Sequence, residues 1–256
     1  MDVIGRGVLA AHLSAIAARH ERVVALAAGV SSTTAASQAD FDREAELVRR
    51  TLAECRATRR VAVLFSTASE ALYAPGTDGT ERQSLAPRSP YGRHKLAMEH
   101  LARTSGADWL VLRLGHLVGE GQRSHQLLPA LVEQVLGGHV RVHRGARRDL
   151  IDTEDAVAAL DALLTAGVTG EVVNVVSGLP VPVEGIVDRI ETLLGTHSVR
   201  ERVVGGHGAP GPTVSLAKLR SLIGADHAAF DADYPWRLLD RYVPLLAATS
   251  AAGTTR

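Results

Sequence analysis

The chain has 256 residues, 46% of them hydrophobic, and its 28 basic side chains balance 28 acidic ones. That is enough apolar material for a sizeable core, as one domain or one domain with a small lobe. Zero formal charge gives no support to a nucleic-acid partner or an anionic membrane surface, and the lone cysteine, Cys55, excludes an intramolecular disulfide and a zinc-ribbon spacing. A reducing, cytoplasmic setting is expected. No apolar run is long enough to span a bilayer, and the first residues do not read as a signal peptide.

Short apolar runs alternate with longer amphipathic stretches, the pattern of βα units around a parallel sheet. In chain order the expected elements are a strand at Asp2–Gly5, a helix at Val8–Arg19, a strand at Arg22–Ala27 and a helix at Ala39–Arg56. A strand at Val61–Ser66 follows, then a loop at Ala74–Arg88 rich in Gly, Pro and Thr, a helix at Pro90–Ser105 and a strand at Trp109–Leu114. Helices are expected at His125–Leu136, Glu154–Thr165 and Val183–Leu194, with strands at Val140–His143 and Glu171–Val175. Gly205–Pro212 reads as a glycine- and proline-rich link, and Ala247–Arg256 as a fraying tail.

Val3-Ile4-Gly5-Arg6-Gly7-Val8-Leu9-Ala10 has the spacing G-x-G-x-x-A between a strand and a helix. Gly5 would permit a tight turn, Gly7 would let backbone approach a pyrophosphate, and Ala10 would let the helix pack closely. The motif alone is equally compatible with a turn that binds nothing. A dinucleotide fold usually carries an Asp or Glu about 20 residues further on, at the end of the second strand. Here that strand runs into Ala28-Gly29-Val30-Ser31-Ser32 without a carboxylate. Arg6 could meet the 2′-phosphate of NADP, and a solvated surface arginine explains it as well.

Tyr91 and Lys95, in Pro90-Tyr91-Gly92-Arg93-His94-Lys95, lie one helical turn apart on the same face. A phenol titrating at about 10 is a poor acid/base at neutral pH. An ammonium one turn away favours the phenolate and is expected to lower that value. The strand end at Ser66, Thr67 and Ser69 offers a hydroxyl that would hold a substrate carbonyl beside the phenol.

Several further segments, in order, resemble those of the extended short-chain dehydrogenase/reductases, the NAD-dependent epimerase/dehydratase family. That group includes nucleotide-sugar epimerases, dehydratases and 4-keto-reductases. VVALAAG (Val23–Gly29) is similar to the family's Ala-Ala strand, and VLFSTASEALY (Val63–Tyr73) to its S-S/T-x-x-V-Y segment. SPYGRHKLAMEHL resembles its catalytic helix, VLRLGHLVGEGQ its L-R-x-x-N-V-Y-G-P-G-Q, and RRDLIDTEDAVAAL its R-D-F-I-H-V-D-D. VVNVVSGLPVPVEGIV resembles its late Y-N-V-G-S-G segment.

The resemblance implies a Rossmann-type doubly wound parallel sheet in one extended domain. Residues of about 1–138 and 150–170 would form the Rossmann core, and about 171–246 a small C-terminal substrate lobe. Tyr91 would be the acid/base, and Lys95 its activator and nicotinamide-ribose ligand. Thr67 is the triad hydroxyl by distance from the strand end, whereas counting back from Tyr73 points to Ser69. Ala27, Ala28, Gly29 and Ser66 would line an NAD or NADP cofactor together with the Gly5–Gly7 turn, and Gly115 would face the nicotinamide. His116 and Ala68 would lie on the substrate side, and Arg148 would contact the diphosphate of a sugar nucleotide. The helices at Ala39–Arg56 and Pro90–Ser105 would pair in a homodimer.

Four departures stand out. About one βα pair is missing before the Ala-Ala strand, so the adenosine-binding region reads as shortened. His116 replaces an asparagine, no clear second phosphate-binding arginine occurs in Val203–Thr213, and Thr67-Ala68-Ser69 lacks the Asp-Glu pair of sugar 4,6-dehydratases. The expected activity is that of an NAD(P)-dependent oxidoreductase or epimerase acting on a carbonyl or hydroxyl carbon of a sugar nucleotide or specialised metabolite. The alternatives are a non-redox isomerase, lyase or cyclase using the Tyr91–Lys95 pair with cofactor lost or vestigial, and a non-catalytic binding protein. The 11 histidines are scattered, without metal-ligand spacing, so no metal is expected.

Overall fold

Runs of β-branched and leucine residues set the strands, and the side chains of Ser37, Ser89 and Asp152 cap the starts of three helices. The computed structural model describes residues 1–31, 36–74, 76–203 and 213–253. In chain order these form β1 (Asp2–Ile4), α1 (Val8–Leu13), a 3-10 turn (Ser14–Arg19), β2 (Val23–Leu26), α2 (Gln38–Thr58), β3 (Val61–Thr67) and α3 (Pro90–Thr104). Then come β4 (Asp108–Leu114), β5 (His116–Val118), α4 (Leu127–Leu136), β6 (His139–His143), β7 (Arg147–Arg148), β8 (Leu150–Asp152) and α5 (Thr153–Thr165). The chain continues through β9 (Glu171–Val175), β10 (Val181–Pro182), α6 (Val183–Leu194), β11 (Val199–Val203), α7 (Ala217–Ile223) and α8 (Tyr234–Gly253).

The main sheet has five strands in the order β1-β2-β3-β4-β9, every pair parallel. Its strands alternate between two cores, as the pleat requires. On β4, Leu110, Leu112 and Leu114 face a core that also holds Leu13 of α1, Leu160 of α5 and Leu219 of α7. Val111 faces the opposite core, with Val48 and Leu52 of α2 and Met98 of α3. Helices thus cover both faces, as a parallel sheet needs.

A further core gathers Val135 of α4, Val140 of β6, Ile186 and Ile190 of α6, and Leu239 and Tyr242 of α8. It is the small lobe. β6 pairs with β11, β7 with β10, and β5 with β8. Elements reach this lobe from both sides of β9, which itself belongs to the main sheet.

Two local features differ from the sequence expectations. The first helix stays α-helical only over Val8–Leu13 and tightens into a 3-10 turn from Ser14, whose hydroxyl donates to the Ala11 carbonyl at 2.6 Å. The segment expected to fray from Ala247 is helical through Gly253, because α8 docks its Leu238, Leu239, Tyr242 and Val243 on the lobe despite Pro244 within it. The link expected at Gly205–Pro212 lies outside the described residues. Cys55 is a free, buried thiol, and among the described residues no helix is long and apolar enough to cross a membrane.

Candidate active site

A parallel sheet delivers all its strand-to-helix turns to one edge, which is where ligands bind in such folds. Here that edge collects the Gly5–Gly7 turn, the end of β2 at Ala27–Gly29, the end of β3 at Thr67 and the end of β4 at Gly115. α3 begins beside them. Ser89 caps it, its hydroxyl accepting from the Gly92 N–H at 3.0 Å, and Pro90 occupies its first turn. Gly92 is needed for close approach: a Cβ there would lie 2.0 Å from the Ala71 carbonyl and 2.9 Å from Pro87.

This start places Tyr91 and Lys95 inward, 9% and 4% exposed. The Lys95 ammonium lies 5.7 Å from the Tyr91 ring centre. Thr67, at the end of β3, is close enough to the Tyr91 phenol to pull its acidity in the direction of the phenolate. The Thr67 hydroxyl also donates to the Ser69 hydroxyl at 2.9 Å, while Ser69 accepts from the Ala71 N–H at 3.2 Å. Ser69 thereby closes the turn behind Thr67.

The expected depression of Tyr91 acidity by Lys95 does not prevail. Burial is the largest influence and pushes the phenol up; Lys95 and Thr67 pull it down, and Glu44 raises it further. Glu44 was not singled out in the sequence. It lies in α2, on the face turned toward α3, and accepts from Lys95 Nζ at 2.9 Å and from the Val30 N–H at 2.6 Å. His94 Nε2 lies 3.0 Å from its other contact oxygen, Oε2, and donates to it, since an ionised carboxylate only accepts. Burial works to raise the Glu44 carboxyl, but His94, Lys95 and Val30 outweigh it and hold it down at about 2.

Behind the site, Glu99 takes Arg113 in a two-pronged ion pair, Nε at 2.9 Å and Nη2 at 2.7 Å. Ser66 donates to the same carboxylate at 2.6 Å, so its hydroxyl is committed to this network. Arg113 Nη1 donates to the Tyr73 hydroxyl at 2.7 Å, which donates to Asn174 at 2.8 Å. Glu99 follows Lys95 by one further turn, so the spacing Tyr91, Lys95, Glu99 already placed it on the inward face.

The glycine turn is open at Gly7, where an added Cβ would meet nothing within 4 Å, and tight at Gly5, where it would lie 2.3 Å from the Ala27 carbonyl. Arg6, Ala28 and Gly29 are exposed and Ala27 half-buried. Gly29 presses on the ion pair below it; a Cβ there would lie 2.6 Å from Glu44 Oε1 and 2.8 Å from Lys95 Nζ. Gly115 donates its N–H to the Val175 carbonyl at 3.0 Å.

Beyond the end of β4, His116 is held neutral, its imidazole lowered to about 3 by burial and then by the Arg148 charge. Arg148 is engaged: Nη1 donates to Glu70 at 3.2 Å and to the Arg147 carbonyl at 2.8 Å. Glu70, like Glu44 and Glu99, was not singled out in the sequence. Ala68 is 3% exposed and packed in the core beside the sheet, with its N–H bonded to the Leu114 carbonyl at 2.8 Å.

Comparison with known proteins follows the same lines. Residues 10–176 match the model of the NAD dependent epimerase/dehydratase family. The low-salt glycan biosynthesis protein Agl12 of Haloferax volcanii is 32% identical over 120 residues, which are 43% of this chain and 39% of that protein. The dTDP-glucose 4,6-dehydratase of Bacillus anthracis, solved with NAD, superposes with a TM-score of 0.73 at 22% identity, over 91% of this chain and 74% of that one. MoeE5, solved with UDP-glucose and NAD, gives a TM-score of 0.80 at 20% identity, over 98% of this chain and 100% of that one. At such identities the solved structures show a shared fold.

Proposed function

The chain belongs to the NAD-dependent epimerase/dehydratase family, and from that membership we propose an NAD(P)-dependent oxidoreductase or epimerase acting on a carbonyl or hydroxyl carbon of a nucleotide sugar or specialised metabolite. The observation that carries this reading is the convergence of Tyr91, Thr67 and Lys95 in one buried group at the carboxyl edge of the sheet. In this reading Thr67 orients the substrate oxygen and Tyr91 gives it a proton or takes one from it. Burial keeps Tyr91 in its phenol form at rest. Neutral His116 adds a polar group without charge to the substrate side. A diphosphate would have to draw Arg148 from Glu70.

The residues fit a nicotinamide dinucleotide at its ribose and pyrophosphate portions. Gly5, Gly7, Ala27, Ala28, Gly29 and Lys95 would hold it, and the free space at Gly7 leaves room for backbone to approach phosphate. When bound, it supplies or accepts the hydride.

The adenosine-binding region belongs to the proposal as a shortened one. β1 is the edge of the main sheet, and the strand order runs on without reversal. A doubly wound dinucleotide fold instead has two halves meeting where the order reverses. This favours a second reading, a non-redox isomerase, lyase or cyclase in which Tyr91 works with cofactor lost or vestigial. A homodimer through α2 and α3 accompanies both readings, and light scattering on the purified chain tests it.

Titration with NADH and NADPH, followed by fluorescence and calorimetry, separates the two. Saturable binding supports the first, and absence of binding at high concentration leaves the second. Tyr91→Phe is expected to lower turnover about 10²–10⁴-fold while the fold persists. Full activity of that variant would sink the acid/base role in either reading.

A further inference from the structure

We propose that Glu44 is a positioning residue of the acid/base pair: its carboxylate fixes Lys95 and governs the protonation state of Tyr91. The inference rests on Tyr91 being the acid/base.

The carboxylate has no freedom to swing away. Its Oε1 takes Lys95 Nζ at 2.9 Å, and its Oε2 takes the Val30 N–H at 2.6 Å and His94 Nε2 at 3.0 Å. The three side chains are 8%, 5% and 8% exposed for Glu44, Lys95 and His94. Three donors from two elements, α3 and the segment after β2, clamp a group carried by a third, α2. An ammonium has three N–H bonds and Glu44 directs one of them, so the carboxylate sets where the others point.

The charge balance follows from this clamp. Lysine beside tyrosine favours a phenolate only while the ammonium charge is uncompensated. Here Glu44 compensates it within hydrogen-bond distance, so ionising Tyr91 would put a second anion into a buried group that already holds one. The groups facing Tyr91 are Lys95 on its own helix, Thr67 from β3 and Glu44 from α2. Glu99, the next acid along α3, is committed to Arg113 and Ser66. A cavity of about 20 Å³, room for about one water, is lined by Glu44, Lys95, Gly29, Ser66 and Glu99. Water access there is limited, so the carboxylate charge is weakly screened.

The test uses the full chain with tyrosine labelled at the ring carbon that bears oxygen, titrated by NMR, with Tyr91→Phe assigning the Tyr91 signal. In the wild type, Tyr91 is expected to ionise above the ordinary value of about 10. In Glu44→Gln, which keeps the shape and loses the charge, the midpoint is expected to fall by about one pH unit or more, a ten-fold or larger gain in acid dissociation. Glu44→Asn is expected to shift it the same way, and thermal melts verify that each variant folds. An unmoved midpoint in the folded variants overturns the proposal, and so does a wild-type midpoint below that of free tyrosine. Failure of wild-type protein to bind NADH would remove the cofactor reading and leave the Tyr91 shift to be judged by itself.

Discussion

Glu99→Leu probes the buried ion pair that supports the site. Both Glu99 and Arg113 are 1% exposed, and the carboxylate accepts three hydrogen bonds, two from Arg113 and one from Ser66. Leucine strands a guanidinium that cannot shed its proton, leaving it the Tyr73 hydroxyl at 2.7 Å. Removing one partner of a buried pair costs about 3–5 kcal/mol. At roughly 2–4 °C per kcal/mol for a chain of this size, Tm should fall by roughly 6–20 °C. Arg113→Met should cost less, because an abandoned carboxyl can protonate. The double variant Glu99→Leu/Arg113→Met should recover most of the larger loss, since no buried charge then lacks a partner. Urea unfolding followed by circular dichroism gives the four stabilities and their coupling. A Glu99→Leu cost under about 1 kcal/mol, or a double variant no more stable than the worse single, would refute the reasoning.

Two further predictions concern the same edge. The folded chain leaves His116 unprotonated down to about 3, whereas the unfolded chain takes its proton near the ordinary 6.5. Its contribution to stability is therefore complete above 6.5 and declines as pH falls toward 3. His116→Gln should flatten the dependence of Tm on pH across that window, and an unchanged slope would count against the burial argument. Gly92→Ala places a Cβ 2.0 Å from the Ala71 carbonyl, so backbone must move at the start of α3. It should destabilise by about 1–3 kcal/mol in urea unfolding and displace Tyr91; an unperturbed melt would show that the contact yields easily.

The βα rhythm was legible because each buried strand is a short apolar run and each covering helix has a polar face. Glu171–Val175 and Val183–Leu194 fall where periodicity put them. The pair Tyr91 and Lys95 was legible because one helix carries both. Glu44 was hidden in Asp42-Arg43-Glu44-Ala45-Glu46, a stretch that reads as a solvated face; only the rotation of α2 against α3 shows which acid turns inward. The Glu99–Arg113 pair joins a helix to the next strand, and its geometry exists only after both pack on β3. Of the two-stranded ribbons only β6 was expected, as Val140–His143; the others were missed because segments such as Arg147–Arg148 are too short to carry a period. α8 was missed because Pro244 marks a helix break, and its stability comes from docking on α4 and α6.

The unreversed strand order also bears on how the chain assembles. β2, β3 and β4 each lie beside the strand that precedes them, so these joins close over single crossovers; only the β4–β9 pair must wait for the excursion through residues 115–170. Sequential pairing keeps sequence separations low, and low separation speeds the search. Tyr91, Thr67, Lys95 and Glu44 all reside on β3, α2 and α3. The cluster around Tyr91 is therefore expected to be complete in early-closing segments, while His116 and Arg148, beyond β4, join it in the slow half of the search.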